Sequence, residues 1–239
     1  MEGYFDIHTH ILPDIDDGPD TLDLTMKMLQ KEYDDGIRNI IATSHWRRGM
    51  FEPRSAKLLQ QYELVKNAAK EIDEDLEIYL GCEFHANLEM VETLDQKKRP
   101  TMAGTRCVLT EFKNNSTESF IRERCYALLS HGYQPIIAHV ERYEVIRKNI
   151  DFLEELADMG NYIQLNSQSV LGDDGFFMKQ FCKKVIKNDL VDFIASDCHD
   201  MNKRQPTMGR LIEYLNKLEG EDYTRMILEE NPKELIFNL

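Results

Sequence analysis

The chain has 239 residues, with 43 Asp and Glu against 29 Lys and Arg, and a formal net charge of −14. So acidic a chain is repelled by phosphate backbones and anionic headgroups, which argues against a nucleic-acid partner and against a membrane-surface role. Hydrophobic residues make up 42%, enough for a large core, yet the longest purely apolar run is the five residues 125–129, far short of the roughly 20 that cross a bilayer. The opening Met-Glu-Gly-Tyr-Phe-Asp has neither a basic nor a long apolar stretch, so it does not read as a secretory signal. Five Cys without a Cys-x-x-Cys pair read as reduced, buried thiols of a cytoplasmic protein. With no linker, repeat or low-complexity stretch to divide it, the chain 1–239 reads as a single domain.

In chain order, short runs rich in Ile, Val, Tyr and Phe alternate with longer helical patterns. The first strand is predicted over 4–8 and ends in His8-Thr9-His10. Asp14-Ile15-Asp16-Asp17-Gly18-Pro19 follows as a turn, then a helix over 21–35 closed by Gly36. The second strand, 38–43, runs into Ser44-His45 and the loop Trp46-Arg47-Arg48-Gly49-Met50-Phe51, before a helix over 55–73. The third strand, 77–82, ends at Glu83, with His85 two residues on. The fourth, 106–112, carries Glu111 and leads to a helix over 117–131, where His131 faces the helix end before Gly132. The fifth, 135–139, ends at His139; Arg142 follows, then a helix over 143–159 and Gly160. The sixth, 162–166, ends at Asn166 and precedes a helix over 176–188. The seventh, 191–196, ends in Asp197-Cys198-His199; Arg204 and helices over 205–218 and 221–230 complete the chain.

Seven nearly continuous apolar strands in strict alternation with helices imply a parallel α/β fold. Six of the seven strand ends present His, Asp or Glu. A closed barrel gathers its strand C-termini around one mouth, whereas an open sheet spreads them along a line, so the pattern favours a barrel. His-x-His on a strand places both imidazoles on one face. Five strand-end His would repel one another if charged, but neutral imidazoles bind a metal. With carboxylates and no thiolate among them, the donors suit Mn, Fe or Zn. One of the Asp residues in 14–17 is in reach of such a site, and the spacing does not say which. Arg142 and Arg204 emerge from the same mouth and suit bidentate binding of phosphate. Cys198 to Arg204 also has the Cys-x5-Arg spacing of thiol-dependent phosphatases. Flanking Asp197 and Asp200 disfavour a thiolate there, and the loop lacks Gly.

The ordered set Phe5-Asp6-Ile7-His8-Thr9-His10, Asp16-Asp17-Gly18-Pro19, Thr43-Ser44-His45, Arg48-Gly49-Met50-Phe51, Gly81-Cys82-Glu83, Ala138-His139-Val140-Glu141-Arg142-Tyr143, Gln164-Leu165-Asn166-Ser167, Ser196-Asp197-Cys198-His199 and Asn231-Pro232 resembles the PHP (polymerase and histidinol phosphatase) superfamily. Within it, the chain is similar to the manganese-dependent protein-tyrosine phosphatases of bacterial capsule and exopolysaccharide gene clusters, the CpsB/CapC type. The resemblance implies a distorted (β/α)7 barrel with three divalent ions, usually Mn2+, with Fe, Zn or Mg as possible occupants of some sites. It implies that His8, His10, Glu83 and Asp197 hold one ion, Glu83, Glu111 and His139 a second, and Asp17, His45 and His199 a third. Arg142 and Arg204 then contact phosphate, and the cationic Arg47 and Arg48 lie where substrate would be gripped. Cys198 and His85 stand outside the family pattern.

The implied reaction is hydrolysis of phosphotyrosine by a metal-bridging hydroxide. The implied partner is the phosphorylated tyrosine-rich tail of a bacterial tyrosine kinase that regulates polysaccharide synthesis. Neither nucleic acid nor membrane insertion is expected. Two rivals stand beside this reading: a small-molecule phosphatase, such as one acting on histidinol phosphate, and a catalytically idle regulator that docks on the kinase.

Overall fold

The computed structural model describes residues 2–238. Nine parallel strands are present: β1 Tyr4–Thr9, β2 Ile37–Ala42, β3 His45–Trp46, β4 Glu77–Leu80, β5 Glu83–His85, β6 Cys107–Glu111, β7 Gln134–Ile137, β8 Tyr162–Asn166 and β9 Phe193–Ala195. They pair as β1-β2-β4 and β3-β5-β6-β7-β8-β9. A bridge between Thr9 and Cys198 joins β1 to the end of β9. There His10 N donates to Cys198 O (2.9 Å) and Asp197 N to His8 O (2.8 Å). Counting β2 with β3, and β4 with β5, as broken staves, the ring has seven, and the mouth lies at the strand C-termini.

Both breaks are absent from the expected strand pattern. Gly81 interrupts the third stave because its backbone passes close to the second and to residue 102. A Cβ there would meet Ile41 Cγ2 at 2.9 Å and Met102 Sδ at 3.0 Å. Below the breaks β4 does not pair with β6. Met102 fills that end instead, with Ile236 from the Pro232–Phe237 π-helical segment; both pack with Phe5, Ile7, Ile41, Leu109, Ile136 and Phe193 inside the barrel. The larger apolar cluster lies between the sheet and the surrounding helices, with Met28, Leu29, Leu128, Leu153, Val185 and Leu211 among its fully buried members.

The expected helix over 143–159 is two segments, Glu144–Lys148 and Ile150–Asp158, because Asn149 takes an extended backbone (φ −140°, ψ 94°). Short helices Met90–Asp95 and Ser167–Leu171 were not signalled by the sequence pattern. Thr21 and Thr117 cap their helices by accepting from Leu24 N and Phe120 N. Gly36, Gly132 and Gly160 have positive φ just past helix ends, where a Cβ is disfavoured. Among the described residues no helix is long and apolar enough to cross a membrane.

Candidate metal centre

Strand β1 brings two imidazoles to the mouth by way of a bulge. Asp6 pairs with Ile40 and Thr9 with Ala42, so β1 carries one extra residue in between. The slip resets the alternation. Phe5 and Ile7 face the barrel interior below, and His8 and His10 still turn inward above. Asp6 stays on the outer side, accepting from His8 N and Ser196 N.

His8 and His10 are fully buried, and their Nε2 atoms lie 3.3 Å apart. His8 Nε2 is 3.4 Å from Glu83 Oε2 and 3.3 Å from Asp197 Oδ1; His10 Nε2 is 3.3 and 3.4 Å from the same two oxygens. Ligand atoms about 2.0–2.2 Å from one ion stand at such separations from each other. Glu83 uses both oxygens. Its Oε1 lies 2.8 Å from His139 Nε2, and its Oε2 also lies 2.8 Å from His45 Nδ1. On the far side of His45, its Nε2 is 3.4 Å from Asp17 Oδ1, which is also 3.4 Å from His199 Nε2.

Three groups of donors therefore converge around the mouth: His8, His10, Glu83 and Asp197; His10, Asp17, His45 and His199; and His45, Glu83 and Glu111. The third differs from the expected Glu83, Glu111 and His139. His45 takes the place beside Glu111, at 4.0 Å, while His139 reaches only Glu83. The donors fit metal ions on an independent observation. Glu111 Oε2 and His199 Nε2 are shielded from solvent, yet have no hydrogen-bond partner among the described residues, and Glu83 Oε2 and His45 Nδ1, though 2.8 Å apart, do not meet in hydrogen-bond geometry. Buried polar atoms of that kind are costly unless a ligand satisfies them.

Backbone geometry and charge support the same arrangement. His139 (φ 32°) and Asp197 (φ 53°) hold left-handed conformations, which cost a β-carbon-bearing residue about 1–3 kcal/mol. Burial, assisted by Arg142, lowers the His139 pKa to about 4, so its imidazole is neutral and available as a ligand. Burial opposes ionisation of Glu83, but His45, His8 and their neighbours outweigh it and hold the carboxylate well below its ordinary range. Burial and repulsion from Glu83 raise Glu111 to about 7.

The three turn acids divide their work. Asp17 faces the donors, Asp14 pairs at the surface with Lys57 (2.7 Å), and Asp16 supports the site from behind. Asp16 Oδ2 lies 2.8 Å from His10 Nδ1 and accepts His45 N at 2.7 Å. Gly18 allows the turn to fold against β1, since a Cβ there would sit 2.4 Å from His10 O.

Several supporting residues carried no chemical assignment from the sequence. Gln164 Oε1 accepts His139 N (2.7 Å) and lies 3.3 Å from His8 Nδ1. Asn166 donates to Asp197 Oδ2 (2.8 Å), and Tyr143 OH is 3.3 Å from His139 Nδ1. The signal for the first two was a pair of amides spaced by two in an otherwise apolar strand.

Arg142 Nη2 holds Asp197 Oδ2 at 2.9 Å, and Arg204 Nη1 holds Asp17 Oδ2 at 2.9 Å, so both stand at the mouth. With Arg47 they line a cavity of about 540 Å³ that also includes Glu111 and His85. Arg48 is turned away into an exposed pair with Glu89 (2.5 Å). His85 belongs to none of the three donor groups. His131 Nδ1 meets Ala127 O (2.9 Å) at its helix end.

Cys198 is fully buried and faces Glu32 Oε1 (4.0 Å) and Asp6 on the outer side of the barrel. Burial and those acids raise its pKa well above the ordinary thiol value, which opposes a nucleophilic thiolate. The Cys-x5-Arg spacing is a coincidence of loop length.

Residues 4–237 match the family model for capsular polysaccharide synthesis, CpsB/CapC. The tyrosine-protein phosphatase CpsB of Streptococcus pneumoniae is 35% identical over 238 residues, 98% of each chain. A solved structure described with YwqE from Bacillus subtilis and CpsB from Streptococcus pneumoniae, unique metal-dependent tyrosine phosphatases, superposes with a TM-score of 0.90. It is 30% identical, with 98% of this chain and 94% of that one covered. The phosphotriesterase homology protein from Escherichia coli shares the fold at a TM-score of 0.61 and 14% identity, covering 96% and 97% of the two chains.

Proposed function

The chain belongs to the capsular polysaccharide synthesis CpsB/CapC family, and on that premise we propose that it is a metal-dependent protein-tyrosine phosphatase. The observation that carries the proposal is Glu83, whose two buried oxygens are shared between His139 on one side and His8, His10 and His45 on the other. A carboxylate so placed suits a site of more than one ion. We assign the ligands as His8, His10, Asp17, His45, Glu83, Glu111, His139, Asp197 and His199, and the cofactor as Mn2+, with three ions. Such ions supply Lewis acidity toward phosphoryl oxygens and an activated water.

The chain's own part is binding and orientation. Arg142 and Arg204 are each anchored by one carboxylate, which fixes the guanidinium and leaves further N–H groups to receive phosphate oxygens. Gln164, Asn166 and Asp16 lock the imidazoles and Asp197 in place before substrate arrives. Tyrosine is a fair leaving group, with a pKa near ~10, so its departure makes little demand on a donor acid.

The substrate is assigned as the phosphorylated tyrosine-rich tail of a bacterial tyrosine kinase, and the compartment as the cytoplasm. Five free, buried cysteines suit a reducing environment. Chelation should abolish hydrolysis of p-nitrophenyl phosphate and of a phosphotyrosine peptide, and Mn2+ should restore both. Full turnover in excess chelator would overturn the assignment. Greater kcat/KM on histidinol phosphate than on the peptide would favour the small-molecule reading, and binding of phosphorylated tail without phosphate release would favour the idle regulator.

A further inference from the structure

A second cavity, of about 690 Å³, adjoins the one at the metal mouth; Arg47, His85 and Lys113 line both. Its far wall is apolar. Leu88 is 75% exposed, and Phe120 packs edge-on against Phe112 with ring centres 6.2 Å apart. The near wall is cationic. The side chains of Arg47 and Lys113 form no ion pair among the described residues, although the chain has an acid excess of 14 charges. His85 Nε2, on the shared wall, is shielded from solvent and has no hydrogen-bond partner among the described residues. The acids nearby are otherwise engaged: Glu89 pairs with Arg48, and Glu111 belongs to the metal cluster.

An apolar wall beside unpaired cations matches a ligand with a ring and an anion on one side chain. We propose that Leu88, Phe120, Arg47, Lys113 and His85 form a second-phosphotyrosine subsite, which holds a neighbouring phosphotyrosine of the same polypeptide while the first is hydrolysed. This rests on the phosphatase reading and deepens it. The ring would lie against Leu88 and Phe120. The phosphate would meet Arg47 and Lys113 by charge-assisted hydrogen bonds. A chain that crosses both cavities positions one phosphate at Arg142 and Arg204 and the other about one cavity away.

The test compares kcat/KM, with Mn2+-loaded protein, on three peptides of one sequence: two phosphotyrosines, the second replaced by tyrosine, and the second replaced by glutamate. The doubly phosphorylated peptide should be preferred about tenfold over both others, the size of one good charge-assisted contact with ring burial. Leu88→Ser and Lys113→Ala should each remove most of that preference, and Leu88→Ser, outside the mouth cavity, should leave p-nitrophenyl phosphate turnover unchanged. Equal rates on all three peptides, with normal p-nitrophenyl phosphate turnover, would overturn the subsite alone. So would a glutamate peptide as good as the doubly phosphorylated one, or a preference retained in both variants. No metal-dependent turnover of p-nitrophenyl phosphate would overturn the phosphatase reading and the subsite with it.

Discussion

Asp16 Oδ2 sits 2.8 Å from His10 Nδ1, on the side of the ring opposite the donor cluster. The contact sets which nitrogen carries the proton and leaves Nε2 free for an ion. Burial works against a charge on Asp16, but attraction to His10 prevails and holds its carboxyl far below the ordinary value. Asp16→Ala should weaken metal affinity by about 10–100-fold, read as the Mn2+ concentration that gives half-maximal activity. Asp16→Asn should recover part of the loss, since an amide oxygen still accepts from His10 and His45 N. An unchanged Mn2+ requirement in both variants would contradict the role.

Arg142→Lys should lower kcat/KM on p-nitrophenyl phosphate by about 100-fold, close to the roughly 3 kcal/mol of a lost charge-assisted pair. A lysine keeps the charge, but its N–H donors radiate from a single nitrogen and lack the planar fork that lets a guanidinium hold Asp197 and phosphate together in one geometry. Competitive inhibition by inorganic phosphate should weaken in parallel. Retained phosphate affinity would place the guanidinium outside the anion site.

Cys198→Ser should keep metal-dependent turnover within about threefold of the parent, because the thiol faces Glu32 and Asp6 and not the mouth. A thiol alkylating reagent should likewise leave the folded enzyme active, as all five cysteines are buried. Loss of activity in Cys198→Ser, with metal content and folding intact, would revive a thiol mechanism.

Asp192 links pH to stability away from the site. It accepts Ile163 N at 2.7 Å, and burial, with Asp189 adding repulsion, raises its pKa to about 6. The folded state thus keeps a proton that the unfolded chain releases near pH 4. Its stabilising share is full below that pH and is lost as pH rises to about 6. A shift of that size is worth at most about 3 kcal/mol, and partial solvent contact reduces it to about 1–2 kcal/mol. Asp192→Asn should therefore gain stability over the parent at pH 8 by more than at pH 5, in denaturant titrations at both values. An equal difference at the two pH values would refute the coupling.

The donor clusters were legible in the sequence wherever a polar residue interrupted an apolar strand at its C-terminal end. His8, His10, Glu83, Glu111, His139 and Asp197 all stand out this way, because a parallel ring brings those ends to one rim. Adjacent acids were not separable by the same means. Asp16 and Asp17 differ only in which way the turn rotates them, and Gly18 packed on His10 O decides that. The β1 bulge and the Gly81 break were equally hidden, since both arise from contacts with neighbouring strands and leave the local apolar pattern unchanged. The pairing of His45, rather than His139, with Glu111 depends on side-chain reach across the mouth, which strand order does not encode.

The donors of the first cluster run from His8 to Asp197, and the Thr9–Cys198 bridge closes the ring between the same two segments. The loop so closed, from Thr9 to Cys198 of a 239-residue chain, places the site among contacts of high sequence separation and slow formation. Ion binding at that seam is therefore thermodynamically linked to closure of the whole ring and not to ordering of one loop. Saturating cation should raise the global unfolding temperature and slow the exchange of β1 and β9 amides together, so that occupancy acts as a latch on the closed ring.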